Sequence, residues 1–205
     1  MCIKKTQWEK SVDFHGHACI GLALGYRVAE AALRAFGQKR AEDEEMVAIV
    51  ENDSCAVDAI QVITGCTVGK GNMILRDFGK QAYTFALRDL NKAIRITIIS
   101  HAGEKHEALP ALRQKVLAGD ASAEEKDLFQ KINDELLKDY LTRPLEEVCK
   151  VAEIDYDLPQ KARIFPSVTC SCCDEKVMEP RARLKSGKPA CIPCAEKYDR
   201  GWGNI

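Results

Sequence analysis

The chain has 205 residues, 46% of them hydrophobic and 30% charged, with a formal net charge of −1. That balance describes a globular protein and excludes a strong global field that would draw nucleic acid or a membrane surface. The charge is unevenly spread: residues 1–159 hold 21 Lys+Arg against 26 Asp+Glu, and residues 160–205 hold 9 against 5. A core of about 150 residues with a small basic appendage fits the length.

In chain order, the opening MCIKKTQWEK has no apolar signal region, so a cytoplasmic location is expected. Ala18 to Phe36 reads as an Ala-rich helix stopped by Gly37, with Gly21 and Gly25 one turn apart on it. Arg27, Glu30 and Arg34 interrupt the stretch, which excludes a membrane span. MVAIVE (46–51) has strand character. Asp53 and Ser54 are cap candidates for a short helix from Cys55 to Thr64, stopped by Gly65. Strands are expected near Tyr83–Leu90 and Ile94–Ser100, the second β-branched almost throughout. Ser122 and Glu125 form a capping box for a helix to about Leu141, and Pro144 suits the first turn of the next. IDYDLPQK (154–161) reads as a linker. Helices outnumber an expected three to five strands, which predicts an α+β core over 1–159 and a small C-terminal domain over 160–205.

The ten cysteines point to metal or redox chemistry rather than a disulfide framework. Cys170-x2-Cys173 and Cys191-x2-Cys194, separated by seventeen residues, have the spacing of a four-thiolate structural zinc site. Each Cys-x2-Cys turn offers two soft ligands to one tetrahedral ion. The intervening residues can form a hairpin turning at Ser186-Gly187, and Ile192 to Tyr198 can begin a short helix, a treble-clef or ribbon arrangement. Cys172 is a spare thiol. Such a tail is too small to hold itself together by apolar burial, so the metal would supply most of its folding free energy.

A second concentration of chemistry lies at Phe14 to Cys19. If this stretch is extended, His15, His17 and Cys19 project to one side. Cys19 then stands near the start of the following helix, where the dipole favours thiolate. Cys55 and Cys66 bracket the next short helix. Two imidazoles and up to three thiolates can bind a second transition metal and leave one position open. The plainer alternative is a surface His-x-His beside cysteines packed as small apolar residues. The turn from Thr64 to Gly71 lacks the spacing of a phosphate loop; Lys70 is at most an anion or substrate contact there.

FHGHACIGLALGYR (14–27), ENDSCAVDAIQVITGCTVGKGN (51–72) and the four-cysteine tail together resemble the FmdE family of formylmethanofuran dehydrogenase components. The resemblance implies an α+β core with a treble-clef zinc finger, a homodimer, and a core site at His17, Cys19, Cys55 and Cys66. Ile20 follows Cys19 where the family usually shows Pro. The resemblance also points towards methanogenesis-related, molybdenum- or tungsten-dependent one-carbon chemistry. The chain lacks the cysteine run of an iron–sulfur relay, so its expected part there is an accessory, redox or metal-handling component. A larger enzyme complex is a further expected partner.

Two other classes of function compete with that reading. One is a stand-alone enzyme acting on a small molecule through the His17/Cys19/Cys55 cleft. The other is a nucleic-acid-binding regulator using Arg181, Arg183, Lys185 and Lys188 of the tail. The missing interleaved aromatics disfavour the regulator, leaving the basic residues as a solvated face.

Overall fold

The computed structural model describes residues 5–37, 40–90, 92–99 and 106–195. The chain divides into two compact units, Met1–Lys161 and Ala162–Ile205.

In the first unit, α1 (Gln7–His15) opens with a capping box in which Thr6 accepts from Glu9 N–H and Glu9 reaches back to Thr6. Gly16, at φ 93°, closes it in the left-handed conformation. There follow α2 (Ile20–Phe36), β1 (Met46–Val50), α3 (Ala56–Thr64) and β2 (Met73–Leu75). The chain continues through β3 (Ala82–Leu87), β4 (Lys92–Ile98), α4 (Leu109–Ala118), α5 (Ala123–Thr142), α6 (Leu145–Val148) and β5 (Cys149–Ile154).

The strands form one mixed sheet in the order β2-β1-β3-β4-β5. β1 and β2 run parallel, Ala48 opposite Met73, with α3 as the crossover. The other pairs are antiparallel, with Phe85 between Ala48 and Ile94, and Arg95 opposite Ala152. Every residue of β1 and β3 is buried, as the continuous apolar run 46–50 requires.

One apolar cluster joins α2 and α3 to the sheet through Leu22, Val28, Ile60, Tyr83, Phe85 and Ile96. The helices nearly touch: a Cβ on Gly25 would lie 2.2 Å from the Ala56 carbonyl oxygen. A smaller cluster of Leu109, Leu112, Ile132 and Leu136 holds α4 against α5. The expected linker is not free over its whole length. Ile154 ends β5, Tyr156 lies beneath the Arg76 guanidinium, and Arg88 donates to the Pro159 carbonyl at 2.7 Å.

In the second unit, β6 (Ser167–Thr169) pairs with β7 (Lys176–Met178), and β8 (Arg183–Lys185) with β9 (Lys188–Ala190). The β8–β9 hairpin turns at Ser186 and Gly187, both at positive φ, as the sequence suggests. The short helix expected from Ile192 to Tyr198 extends past the described residues, which end in a turn at 192–194. Among the described residues, no helix is long and apolar enough to cross a membrane.

Candidate metal centres

In the second unit, Cys170 and Cys173 lie in the turn after β6, and Cys191 and Cys194 in the turn after β9. Their four sulfurs all lie within 4.8 Å of one another, and Cys173 Sγ is 3.9 Å from Cys191 Sγ. Four sulfurs bound tetrahedrally to zinc at about 2.3 Å would stand about 3.8 Å apart. The donor set therefore fits one Zn²⁺ and leaves no open position.

Backbone prepares the cluster as well. Cys170 Sγ accepts from the N–H of Cys191 at 3.3 Å and of Cys172 at 3.5 Å, and these donors pull its thiol down to about 6. The same crowding pushes Cys194 up to about 12, chiefly through Cys191. Four thiolates this close repel one another, and a divalent cation removes the conflict. Cys172 is exposed and outside the cluster.

In the first unit, His15, His17 and Cys19 come together by a route different from the extended strand expected from sequence. His15 is the last residue of α1, Gly16 turns the chain, and Cys19 caps α2. The helix prevails over extension because its capping box and left-handed Gly16 close a nine-residue segment at both ends. The donor atoms of the three residues nevertheless lie within 4.8 Å of one another. The two imidazoles lie 4.6 Å apart between centroids, tilted by 37°, and Cys19 Sγ lies 3.8 Å from His15 Nε2.

Two further contacts orient the group. His15 Nδ1 is 2.7 Å from Asp58 Oδ2; an N–H there donates to the carboxylate and leaves Nε2 with its lone pair facing Cys19. Cys19 Sγ accepts from Leu22 N–H at 3.3 Å, a helix-start contact that fixes the position of the sulfur. Asp58 was missed in the sequence. Its position three residues after Cys55, in the first turn of α3, is the signal that could have found it.

Cys55, at the N-cap of α3, is outside the three-residue cluster but close by. A Cβ on Gly21 would meet Cys55 Cβ at 3.2 Å, Cys55 Sγ at 3.7 Å and Cys19 Sγ at 4.0 Å. Burial and the neighbouring Cys19 raise the Cys55 thiol above its ordinary value. Cys55 and His15 line a cleft of about 340 Å³ whose walls are largely apolar, including Val50, Val57, Met73 and Leu75.

Two expected members do not converge there. Cys66 is fully buried, bonds to the Met46 carbonyl at 3.4 Å, and burial pushes its thiol up to about 11. It is a core residue because the chain turns inward after Gly65, which packs on Ala41. Lys70 reaches the carbonyl oxygens of Ala41, Glu42 and Asp43, the closest at 3.1 Å, so its ammonium ties two loops together.

Residues 14–150 match the family described as "FmdE, Molybdenum formylmethanofuran dehydrogenase operon", which spans the His/Cys cluster, the cleft and the sheet to the start of β5. The chain belongs to the FmdE family. Residues 163–200 match a second family, the prokaryotic dksA/traR C4-type zinc finger, in agreement with the four-cysteine cluster. A solved structure of a tungsten formylmethanofuran dehydrogenase FmdE-like protein from Syntrophus aciditrophicus shares the fold. Its TM-score is 0.60 at 19% identity, with 91% of this chain and 88% of that one covered. A "probable S-adenosyl-L-methionine-binding protein" from Archaeoglobus fulgidus is 31% identical over 196 residues, 92% of this FmdE chain. The chain spans about half that relative's length, 52%.

Proposed function

We propose that this FmdE protein holds a second, open metal site at His15, His17 and Cys19, and serves as an accessory, redox or metal-handling component for a molybdenum- or tungsten-dependent one-carbon enzyme. One observation carries the reading: three donors of the right chemistry lie within 4.8 Å of one another, and one of them, His15, lines a largely apolar cleft. Asp58 behind His15 adds the outer carboxylate that fixes a ligating imidazole. Three protein ligands leave a position for water or a small substrate, whereas the four-cysteine site is saturated and structural. The family description supports the one-carbon setting, and the missing iron–sulfur spacing favours an accessory role over the redox centre itself. We place the protein in the cytoplasm as a homodimer, with a larger enzyme complex as a further partner. Light scattering should then give about twice the chain mass of 22.8 kDa.

Native mass spectrometry after zinc or cobalt loading tests the site. Two metals per chain are expected in the wild type, and one in Cys19→Ser with the finger intact. A single metal in both would sink the second site.

A second reading has its own observation. Cys19, His15 and Asp58 are linked by contacts of 3.8 Å and 2.7 Å, the order of a thiol nucleophile, its base and the base's orienting carboxylate. If the site works without metal, iodoacetamide should label Cys19 rapidly in the metal-free core, and His15→Ala should slow that labelling.

A further inference from the structure

Two cysteine sulfurs meet at Gly21, one of them from the wall of the cleft. Cys19 and Cys55 stand at the N-caps of α2 and α3, which approach closely at Gly25 and Ala56. Their sulfurs lie against the same bare face of Gly21, 4.0 Å and 3.7 Å from where its Cβ would be. Both are half-buried. The other described cysteines of this unit are unlike them. Cys66 and Cys149 are buried and bonded to the carbonyls of Met46 and Leu145. Nothing in the metal reading uses the pairing of Cys19 with Cys55, and Cys55 stands outside the His15, His17 and Cys19 cluster.

We infer that Cys19 and Cys55 form a dithiol that is converted reversibly to a disulfide by exchange with a disulfide-bearing small molecule or protein. The thiolate of one cysteine attacks a sulfur of the incoming disulfide R–S–S–R. That S–S bond breaks, a first R–S⁻ leaves, and a mixed disulfide remains on the protein. The second protein thiolate attacks the mixed disulfide at the protein sulfur, which expels the second R–S⁻ and closes Cys19–Cys55. The protein loses two electrons and two protons; the two departing thiolates receive both and leave as two thiols. Cys19 is the expected first attacker, because it sits against His15 and the N–H of Leu22. Cys55, one packing distance away across Gly21, is the resolving thiol.

This inference goes beyond the metal reading and does not depend on it. It also sets a competition, since a Cys19 sulfur bonded to Cys55 is no longer a thiolate ligand. Metal occupancy and disulfide are therefore mutually exclusive at this site.

The test uses the folded chain carrying one zinc, so that the finger is filled and Cys19 carries no metal, with oxidised glutathione as the probe. After acid quenching and alkylation, trypsin with an Asp-specific protease separates Cys55 from Cys66, and mass spectrometry reads each peptide. A Cys19–Cys55 cross-link, reversed by dithiothreitol, is expected as the main product of the wild type. Cys55→Ser should stop at a glutathione adduct on Cys19. Gly21→Ala, whose methyl would press on Cys55 Cβ at 3.2 Å, should slow closure about tenfold while the first adduct still forms. Persistent separate adducts in the wild type, or no reaction at either cysteine in folded protein, would overturn the pair. The metal reading fails independently, through equal metal counts in wild type and Cys19→Ser, so the two failures are told apart.

Discussion

The chain holds two sulfur-rich clusters built on opposite logic. In the finger, short two-stranded pieces and turns bring four sulfurs together, and Cys170 and Ala190 are the buried apolar residues of the described unit. In the core, an extensive apolar interior exists whatever His15, His17 and Cys19 bind. The finger's four cysteines fit a zinc that would organise it, whereas the core would present the proposed ligands on a finished scaffold. A closed ligand set suits support, and an open one suits chemistry.

Removing the metal should separate the two most sharply. A structural zinc contributes on the order of 10 kcal/mol to a finger of this kind. Chelation should therefore abolish hydrogen-exchange protection over residues 167–195, with β1 and β3 staying protected. Full finger protection after verified zinc loss would break the comparison.

The reverse lesion lies at Gly25. A Cβ 2.2 Å from the Ala56 carbonyl oxygen cannot be accommodated without moving α2 from α3. Gly25→Ala should cost the core about 3 kcal/mol or more in urea unfolding. Zinc retention by the finger should be unchanged.

A lesion behind the proposed open site should be felt in binding alone. Asp58→Asn keeps the shape and removes the charge facing His15 Nδ1. Core metal affinity should fall about 10- to 100-fold in competition titrations, with little change in unfolding.

The smallest expected effect concerns acid. The Arg95 guanidinium grips Glu51 and holds its carboxyl below the usual carboxylate range. The stability this pair gives is present above the ordinary carboxylate value and is lost as pH falls through the lower folded one. Arg95→Gln should raise the pH midpoint of acid unfolding of the core by less than about one unit. The finger should respond to acid through a different event, protonation of its ligands and release of metal.

The finger was legible because its chemistry is local. Two Cys-x2-Cys turns and a Ser-Gly hairpin are written within 25 residues, from Cys170 to Cys194. The α2 helix, β1 and α3 were legible from their apolar runs and glycine stops, and β3 and β4 were placed with shifted ends. Harder to see were β2 and β5, three and six residues long with mostly exposed outer positions, whose strand state comes from pairing with β1 and β4. At the open site, the three donors are close neighbours in sequence, but Thr6 and Glu9 make His15 a helix terminus rather than part of a strand. Cys66 resembled a site residue because it brackets α3 with Cys55 and matches the family motif, and Lys70 because it lies in a glycine-rich turn. Only the tertiary path shows the thiol turned into the core and the ammonium turned towards the 41–43 carbonyls.

The α1 helix would give the proposed open site an unusual dependence. At nine residues it is shorter than the roughly 12–15 at which an isolated helix begins to persist in water. Its order is borrowed from the capping box at one end, the glycine at the other and its packing on α3. His15 is its final residue, so whatever engages that imidazole also selects the helical state of the eight residues before it. Occupancy and helix–coil equilibrium would thereby be linked functions. A ligand bound at His15 would be reported as far away as Thr6, and a weakened cap at Thr6 would return as weaker binding at His15.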